Sequence, residues 1–287
     1  MIVSELQVQY LRDLELLYNL ETMIRRIFLF VLTNIAIIVM GTIILGLIQR
    51  FFGIDITGTL HTNYFSLAIF ALFYGFFGAF ISLFTSRWMA KKFHHMRLLS
   101  PADIATWTSS EKLVYQTVDR IAQSNGITTP EVGVYESPEV NAFATGATKN
   151  SSLVAVSSGL LQQMKSDEVE GVVAHEMAHI LNGDMVTMTL LQGIINAFVI
   201  FLSRAIAQIV SMAGRRDGEG SNGIVYFGVT IVLEILLGLL GSLIVMAYSR
   251  RREFAADAGS ASYVGKSKMV NALRALQRIH EQNIAIK

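Results

Sequence analysis

Residues 171–181 read GVVAHEMAHIL, an apolar segment in which His175, Glu176 and His179 form the pattern His-Glu-x-x-His. Four residues make just over one turn of α-helix, so the two imidazoles leave the same face of the helix. Two imidazoles on one face can bind a single Zn²⁺, and the glutamate between them can reach a water molecule on that metal. The segment therefore predicts a helix that carries part of a zinc site. The alternative is a helix with two hydrogen-bonded histidines and a surface glutamate.

The composition is typical of a membrane protein with a polar portion. The chain has 287 residues, of which 52% are hydrophobic and 16% charged. Its mean hydropathy of +0.48 is too high for an ordinary soluble domain. The net charge of +1 gives no field that would favour nucleic acid as a partner. Because the chain has no cysteine, any zinc site must use histidine, carboxylate and water.

Four apolar segments are long enough to cross a lipid bilayer, which takes about 20 residues of helix. They cover residues 27–48, 64–84, 187–210 and 223–248. The first two carry no charge, whereas the third contains Arg204 and the fourth Glu234. These two side chains either pair with each other or line a polar path near the site. We expect two membrane hairpins, residues 23–86 and 187–248, with partial burial in protein as the alternative for the second.

Basic residues predict which side of the membrane each end faces. Those that flank the first hairpin are Arg25, Arg26, Arg87, Lys91, Lys92 and Arg97. The loop inside this hairpin, residues 51–63, has no lysine or arginine. The positive-inside rule therefore places both ends of the first hairpin in the cytoplasm. Arg250, Arg251 and Arg252 place the end of the fourth span there too, although Arg215 and Arg216 argue the other way for the second hairpin.

A polar region, residues 87–186, separates the hairpins and reads as an α+β domain. Its predicted elements are a helix over 109–123 capped by Ser109 or Ser110, a strand over 131–136, a hairpin of strands 141–146 and 152–157, and the motif helix from Ser166. After the second hairpin, residues 249–287 are expected to form a cytoplasmic helical segment. Within it, residues 268–281 have apolar side chains at helical spacing.

A third metal ligand must come from outside the motif, since a catalytic zinc usually takes three protein ligands and a water. The metzincin pattern is excluded because Asn182 and Met185 stand where it requires glycine and histidine. Glu253 and Asp257 lie four residues apart on one helix face, just after the fourth span. Glu253 can bind the metal while Asp257 accepts the N–H of a ligand imidazole, most simply that of His175. Asp184 is a further candidate to support the site, although we expect it to serve at a helix end or in a loop.

The predicted chemistry is hydrolysis of a peptide bond. Zinc would lower the pKa of a bound water and polarise the scissile carbonyl, while Glu176 acts as the general base. An extended peptide would pair with the edge of the strand that starts at residue 141. The candidate substrate-binding residues are Asn141, Ala142, Phe143 and Ala144.

Five segments carry a resemblance to a known family. They are MIRRIFLFVLTN (23–34), NAFATG (141–146), SLVAVSSGLL (152–161), HEMAHILNGDM (175–185) and RREFAADA (251–258). In these the chain resembles the HtpX-type membrane zinc endopeptidases of bacteria and archaea, which are related to the CAAX prenyl endoproteases. The resemblance implies a multi-pass α-helical membrane protein with a cytoplasmic, gluzincin-like α+β protease domain. It also implies one Zn²⁺ per chain on His175, His179 and Glu253, an inner-membrane location, and quality control of damaged or misfolded membrane proteins under stress.

The two ends of the chain depart from the family pattern. Residues 1–22 are read as an N-terminal extension, since the family-like sequence starts at Met23. Family members usually continue to a His-Pro-Pro segment, whereas this sequence ends at Lys287, which suggests a truncated C-terminus. Two alternatives to a protease stay open at this point. One is a membrane protein that binds unfolded segments without cutting them, and the other is a metal transporter.

Overall fold

The computed structural model describes residues 50–51, 64–213 and 223–285. Its helices are α1 (Tyr64–Phe93), α2 (Ser109–Ser124), α3 (Ser158–Gln163), α4 (Ser166–Asn182), α5 (Asp184–Ala213), α6 (Gly223–Val264) and α7 (Lys266–Ala285). Its strands are β1 (Arg97–Leu98), β2 (Glu131–Tyr135), β3 (Ala142–Thr148) and β4 (Ser151–Ser157). The extension 1–22, the first predicted span, almost all of the loop 51–63, the pair Arg215 and Arg216, and Lys287 lie outside the described residues.

Three of the described helices are long and apolar enough to cross a membrane: Tyr64–Phe93, Asp184–Met212 and the helix Gly223–Val264. They contain the last three spans predicted from the sequence. Glycines let them pack closely, as in many membrane helix pairs. A Cβ on Gly75 of α1 would lie 2.4 Å from the Ala197 nitrogen of α5, and one on Gly241 of α6 would lie 2.5 Å from Ile195 of α5. The faces away from these contacts expose large apolar side chains.

Helix α6 continues well beyond the apolar span predicted at residues 223–248. Its 42 residues make a rod of about 63 Å, roughly twice the thickness of the hydrocarbon core of a bilayer. Arg250, Arg251 and Arg252 therefore follow the apolar part without a break in the helix. Glu253 and Asp257 stand on the same rigid extension.

The sheet is mixed, with strand order β1-β2-β4-β3. Strands β2 and β4 are parallel, and β3 pairs antiparallel with β4, which confirms the hairpin predicted from the sequence. The buried side chains of Val132, Val134, Val154 and Val156 join the core that α2 and α4 cover. Among the described residues, strand β3 is an edge of this sheet and pairs with a strand on one side only.

Ion pairs join the membrane helix α1 to the sheet. The Arg87 guanidinium lies 3.0 Å from Glu131 of β2 and donates a hydrogen bond of 2.7 Å to the Ser151 hydroxyl of β4. Lys91, one turn further along α1, lies 3.2 Å from the same glutamate. The basic residues after this span therefore also fix the polar domain against the membrane helices.

The cap of α2 differs from the prediction. Thr108, not Ser109 or Ser110, is the N-cap: its hydroxyl accepts the Glu111 N–H at 3.2 Å, and the Glu111 carboxylate accepts the Thr108 N–H at 2.7 Å. This reciprocal arrangement is a capping box, whose signature Thr-x-x-Glu is visible in the sequence. Helix α4 starts at Ser166 as predicted, but Lys165 is its N-cap, and the Glu168 carboxylate accepts the Lys165 N–H at 2.8 Å.

Helix α7 contains the predicted C-terminal helix and packs along α4. A Cβ on Gly171 of α4 would lie 2.8 Å from the Ala272 methyl group, so the two helices are in close contact. Lys268 of α7 lies 2.7 Å from Glu170, and Asn271 donates a hydrogen bond of 2.7 Å to Asp167. The helix that carries the histidines is thereby held between α2, α6 and α7.

Candidate metal centre

The two motif histidines lie on one face of α4, as their spacing predicts. The imidazole rings are 4.7 Å apart and perpendicular, and their Nε2 atoms are 3.1 Å apart. His179 is buried and His175 is partly buried. The surrounding positions of α4, among them Val173, Ala174 and Met177, are filled by the core. The rings thus project from a helix that has little freedom to move.

Glu253 completes a group of three converging side chains. Its Oε2 atom lies 3.3 Å from Nε2 of His175 and 3.5 Å from Nε2 of His179. One ligand atom from each of the three residues lies within 4.8 Å of the others. Close packing of α6 on α4 brings them together: a Cβ on Gly259 would lie 2.8 Å from the Ala178 methyl group, and the Ser260 hydroxyl donates a 2.8 Å hydrogen bond to the Gly171 carbonyl.

A carboxylate lies against the outer nitrogen of each imidazole. Asp184 Oδ2 is 2.6 Å from Nδ1 of His179, and Asp257 Oδ1 is 2.8 Å from Nδ1 of His175. The Asp257 contact is short but is not aligned as a normal hydrogen bond. Each carboxylate favours a proton on Nδ1, which leaves a lone pair on each Nε2.

The resulting arrangement calls for a cation. With the proton of each ring on Nδ1, two imidazole lone pairs and one carboxylate oxygen lie within 3.5 Å of one another. Three converging acceptors repel one another unless a positive ion lies among them. The donor set of His175, His179 and Glu253 therefore fits a metal ion on the geometry of this structure.

Asp184 occupies the expected helix end and also lies against the site, the alternative that the sequence left open. It is the first residue of α5, at the helix end expected for it, but its side chain is also buried against His179. Gly183 ends α4 with a φ of +73°, and α5 begins at the next residue. This turn brings the Asp184 side chain to His179. In the sequence, Asp184 follows His179 by five residues with Gly183 between them, and this spacing is the signal that could have linked Asp184 to the site.

Glu176 lies beside the three converging side chains without being one of them. Burial raises the pKa of its carboxyl group, and the nearby carboxylate of Glu253 raises it further. His175, the Ala144 N–H, which donates to this carboxylate, and the Arg252 guanidinium oppose the rise. The net pKa is above the ordinary value for glutamate. This glutamate thus has the raised basicity that suits a general base.

The edge strand β3 runs beside Glu176. The Asn141 carbonyl accepts the Ser157 N–H of β4 at 2.9 Å, so the backbone groups of Asn141 and Phe143 point into the sheet. By the alternation of antiparallel strands, those of Ala142 and Ala144 point outward. The Ala144 N–H, directed at Glu176, agrees with this assignment. Of the four predicted substrate-binding residues, Ala142 and Ala144 therefore direct their backbone groups away from β4, and Ala144 contacts Glu176.

Two further charged pairs lie on the helices that carry the site. Arg204 of α5 and Glu234 of α6 lie 2.6 Å apart within the apolar helices, which confirms the pairing expected across the second hairpin. Arg252 lies 3.2 Å from Oε1 of Glu253. In the sequence, Arg252 stands out only as one of three basic residues that follow an apolar span.

Comparison with known proteins identifies the family. Residues 108–285 match the model of peptidase family M48. The chain belongs to this family. Proteins named Protease HtpX are among its M48 relatives: that of Idiomarina loihiensis is 48% identical over 91% of this chain and 87% of the relative, and that of Tolumonas auensis is 47% identical over the same shares. The expected resemblance to HtpX proteases is therefore confirmed.

The fold of this M48 chain is shared with a solved structure. The crystal structure of S. mikatae Ste24p aligns with a TM-score of 0.55 over 84% of this chain and 59% of that chain. The sequence identity is 19%, so the likeness concerns the fold alone. Together with the three apolar helices and the small mixed sheet, it fits a membrane zincin.

Proposed function

We propose that this protein is a zinc-dependent endopeptidase of the membrane that cuts misfolded or damaged membrane proteins. The observation that carries the proposal is the convergence of His175, His179 and Glu253 beside the partly buried carboxylate of Glu176, whose pKa is raised. The names of its relatives, Protease HtpX, support a proteolytic role over one of binding alone.

The spacing of the three ligand atoms supports zinc as the metal. In a tetrahedral site with zinc–nitrogen bonds near 2.05 Å, neighbouring ligand atoms are about 3.3 Å apart. The three separations here are 3.1, 3.3 and 3.5 Å. Two imidazoles and one carboxylate are also a ligand set that catalytic zinc enzymes use, with the fourth position left for water. One Zn²⁺ per chain is therefore proposed.

The side chains around the metal have separate tasks in hydrolysis. Bound zinc would supply a Lewis acid that polarises the scissile carbonyl and lowers the pKa of a water. Glu176 takes the proton of the attacking water and returns it to the leaving amine. Asp257 and Asp184 hold the two ligand imidazoles in one orientation and tautomer.

The open edge of β3 is the proposed substrate-binding element. An extended peptide that pairs with it would place its backbone against the outward groups of Ala142 and the outward carbonyl of Ala144, whose N–H already donates to Glu176. Asn141 and Phe143 keep the strand in the sheet. Main-chain pairing of this kind accepts many sequences, which suits a protease for unfolded segments.

The proposed location is the inner membrane, with the site facing the cytoplasm. Arg250, Arg251 and Arg252 follow the apolar part of α6 directly, and Glu253 comes next. Arg87 and Lys91 on α1 hold the sheet at the same side of the apolar helices. Basic residues at these positions support a cytoplasmic side under the positive-inside rule. The protease domain over residues 87–186 and the helical segment over 249–287 would both lie there.

The test is cleavage of an unfolded protein by the detergent-purified chain with added zinc. We expect Glu176→Gln to lower the rate by about 10²- to 10⁴-fold, the usual contribution of a general base, while zinc binding is kept. Glu281→Gln on the exposed part of α7 makes the same chemical change away from the site and should leave the rate unchanged. Equal cleavage by the wild type and Glu176→Gln would refute the proposed role of Glu176.

A further inference from the structure

We propose that Arg252 is a positioning residue for the metal site: it holds one oxygen of Glu253 so that the other faces the two imidazoles. The proposal rests on the proposed metal-binding function. In the sequence alone, Arg252 indicates only a basic residue at the end of a membrane span.

The two oxygens of the Glu253 carboxylate have different partners. Oε1 lies 3.2 Å from the Arg252 guanidinium. Oε2 lies 3.3 Å from His175 and 3.5 Å from His179. An arginine on Oε1 favours the orientation in which Oε2 alone is presented to the metal. The carboxylate would then bind through one oxygen, as a four-coordinate zinc site with an open position requires.

Helix geometry does not produce this contact by default. Neighbouring residues point about 100° apart around a helix, whereas residues three or four apart face each other. Arg250, three residues before Glu253, therefore has the ordinary spacing for an ion pair with it. The structure instead exposes Arg250 and brings Arg252 to Glu253. The Arg252 Nε also lies 3.5 Å from the Ser249 hydroxyl, on the preceding turn.

The restraint matters because Glu253 is the least enclosed of the three proposed ligands. Its side chain is 44% exposed, against 17% for His175 and 9% for His179. Each imidazole has a carboxylate on its outer nitrogen. Arg252 is the corresponding outer partner of Glu253. Loss of such a partner typically lowers metal affinity 10- to 100-fold.

A purely electrostatic role for Arg252 would have the opposite sign. A guanidinium close to the site repels a bound cation, so its removal would strengthen metal binding if charge alone mattered. A positioning role predicts instead that removal of Arg252 weakens metal binding. It also predicts that the effect depends on Glu253, whereas a through-space charge effect would persist without that carboxylate.

The experiment is a zinc titration of the full chain in detergent, with a chromophoric chelator as competitor. We expect Arg252→Ala to weaken zinc binding about tenfold and Arg252→Lys to restore part of the loss. Arg250→Ala, the same change at an exposed arginine of the same helix, should have no effect. In a Glu253→Ala background, Arg252→Ala should cause no further loss.

Each other outcome overturns the proposal in a distinguishable way. Unchanged or tighter zinc binding by Arg252→Ala refutes the positioning role while leaving the metal site intact. A loss of equal size in the Glu253→Ala background shows that Arg252 acts on the fold and not through Glu253. Absence of zinc binding by the wild type refutes the proposed function and this inference together.

Discussion

Replacement of Gly259 by alanine should disrupt the site from a distance. A Cβ at this position of α6 would lie 2.8 Å from the Ala178 methyl group of α4. Two carbon atoms pack best at about 3.5–4.0 Å, so the helices must separate locally by about 1 Å. Neither the α6 backbone at residue 259 nor the Ala178 methyl group can relieve this contact by a side-chain rotation. Such overpacking costs about 1–3 kcal/mol of stability.

The displacement reaches the metal ligands through the rigid helix. Glu253 lies six residues before Gly259, about 9 Å along α6. A shift near 1 Å would open the contacts of 3.3 and 3.5 Å between Glu253 and the imidazoles beyond the roughly 3.3 Å of a tetrahedral zinc site. We expect zinc affinity to fall about 10- to 100-fold and cleavage to fall by up to about 10²-fold.

The assay is a chelator-competition titration together with cleavage and thermal unfolding in detergent. Gly228→Ala is the matched control. Gly228 lies on the same helix, and a Cβ there would meet no neighbouring atom within 4 Å. It should leave zinc affinity and cleavage unchanged. A folded Gly259→Ala protein with the zinc affinity of the wild type would show that the contact with Ala178 does not set the position of Glu253.

Two further predictions concern the surroundings of the site. Asp184→Asn removes the carboxylate that lies 2.6 Å from His179 and should lower zinc affinity about 10- to 100-fold; a titration identical to that of the wild type would contradict the role given to Asp184. Ala142→Pro removes an outward N–H of β3 without loss of a ladder bond, so the protein should fold while kcat/KM falls about 2- to 10-fold, the effect of one hydrogen bond. Unchanged peptide kinetics with Ala142→Pro would rule out pairing at this edge.

The sequence predicts the parts of the site that follow from periodicity. His175 and His179 share a helix face because their spacing is close to one turn, and Glu253 and Asp257 share another for the same reason. Apolar length alone identified the three helices that could span a membrane in the described residues. Alternating residues identified β2, and turn residues between two short strand candidates identified the hairpin of β3 and β4.

The remaining features depend on contacts that no local pattern encodes. Asp184 reaches His179 because Gly183 turns the chain between two helices, and a single glycine does not specify the direction of that turn. Arg252 pairs with one oxygen of Glu253 against the usual helical spacing, while the other oxygen lies near the imidazoles of α4. The N-cap of α2 lies at least one residue before the predicted position. Three consecutive hydroxyl residues can each cap this helix, and the reciprocal hydrogen bonds with Glu111 favour Thr108.

The most direct measurement is zinc-edge X-ray absorption on the purified, zinc-loaded protein. We expect one zinc per chain, bound by two imidazole nitrogens and one carboxylate oxygen, with the imidazole signal lost in a His175→Ala, His179→Ala variant. Zinc bound without imidazole, or an unchanged spectrum in that variant, would contradict the proposed metal centre.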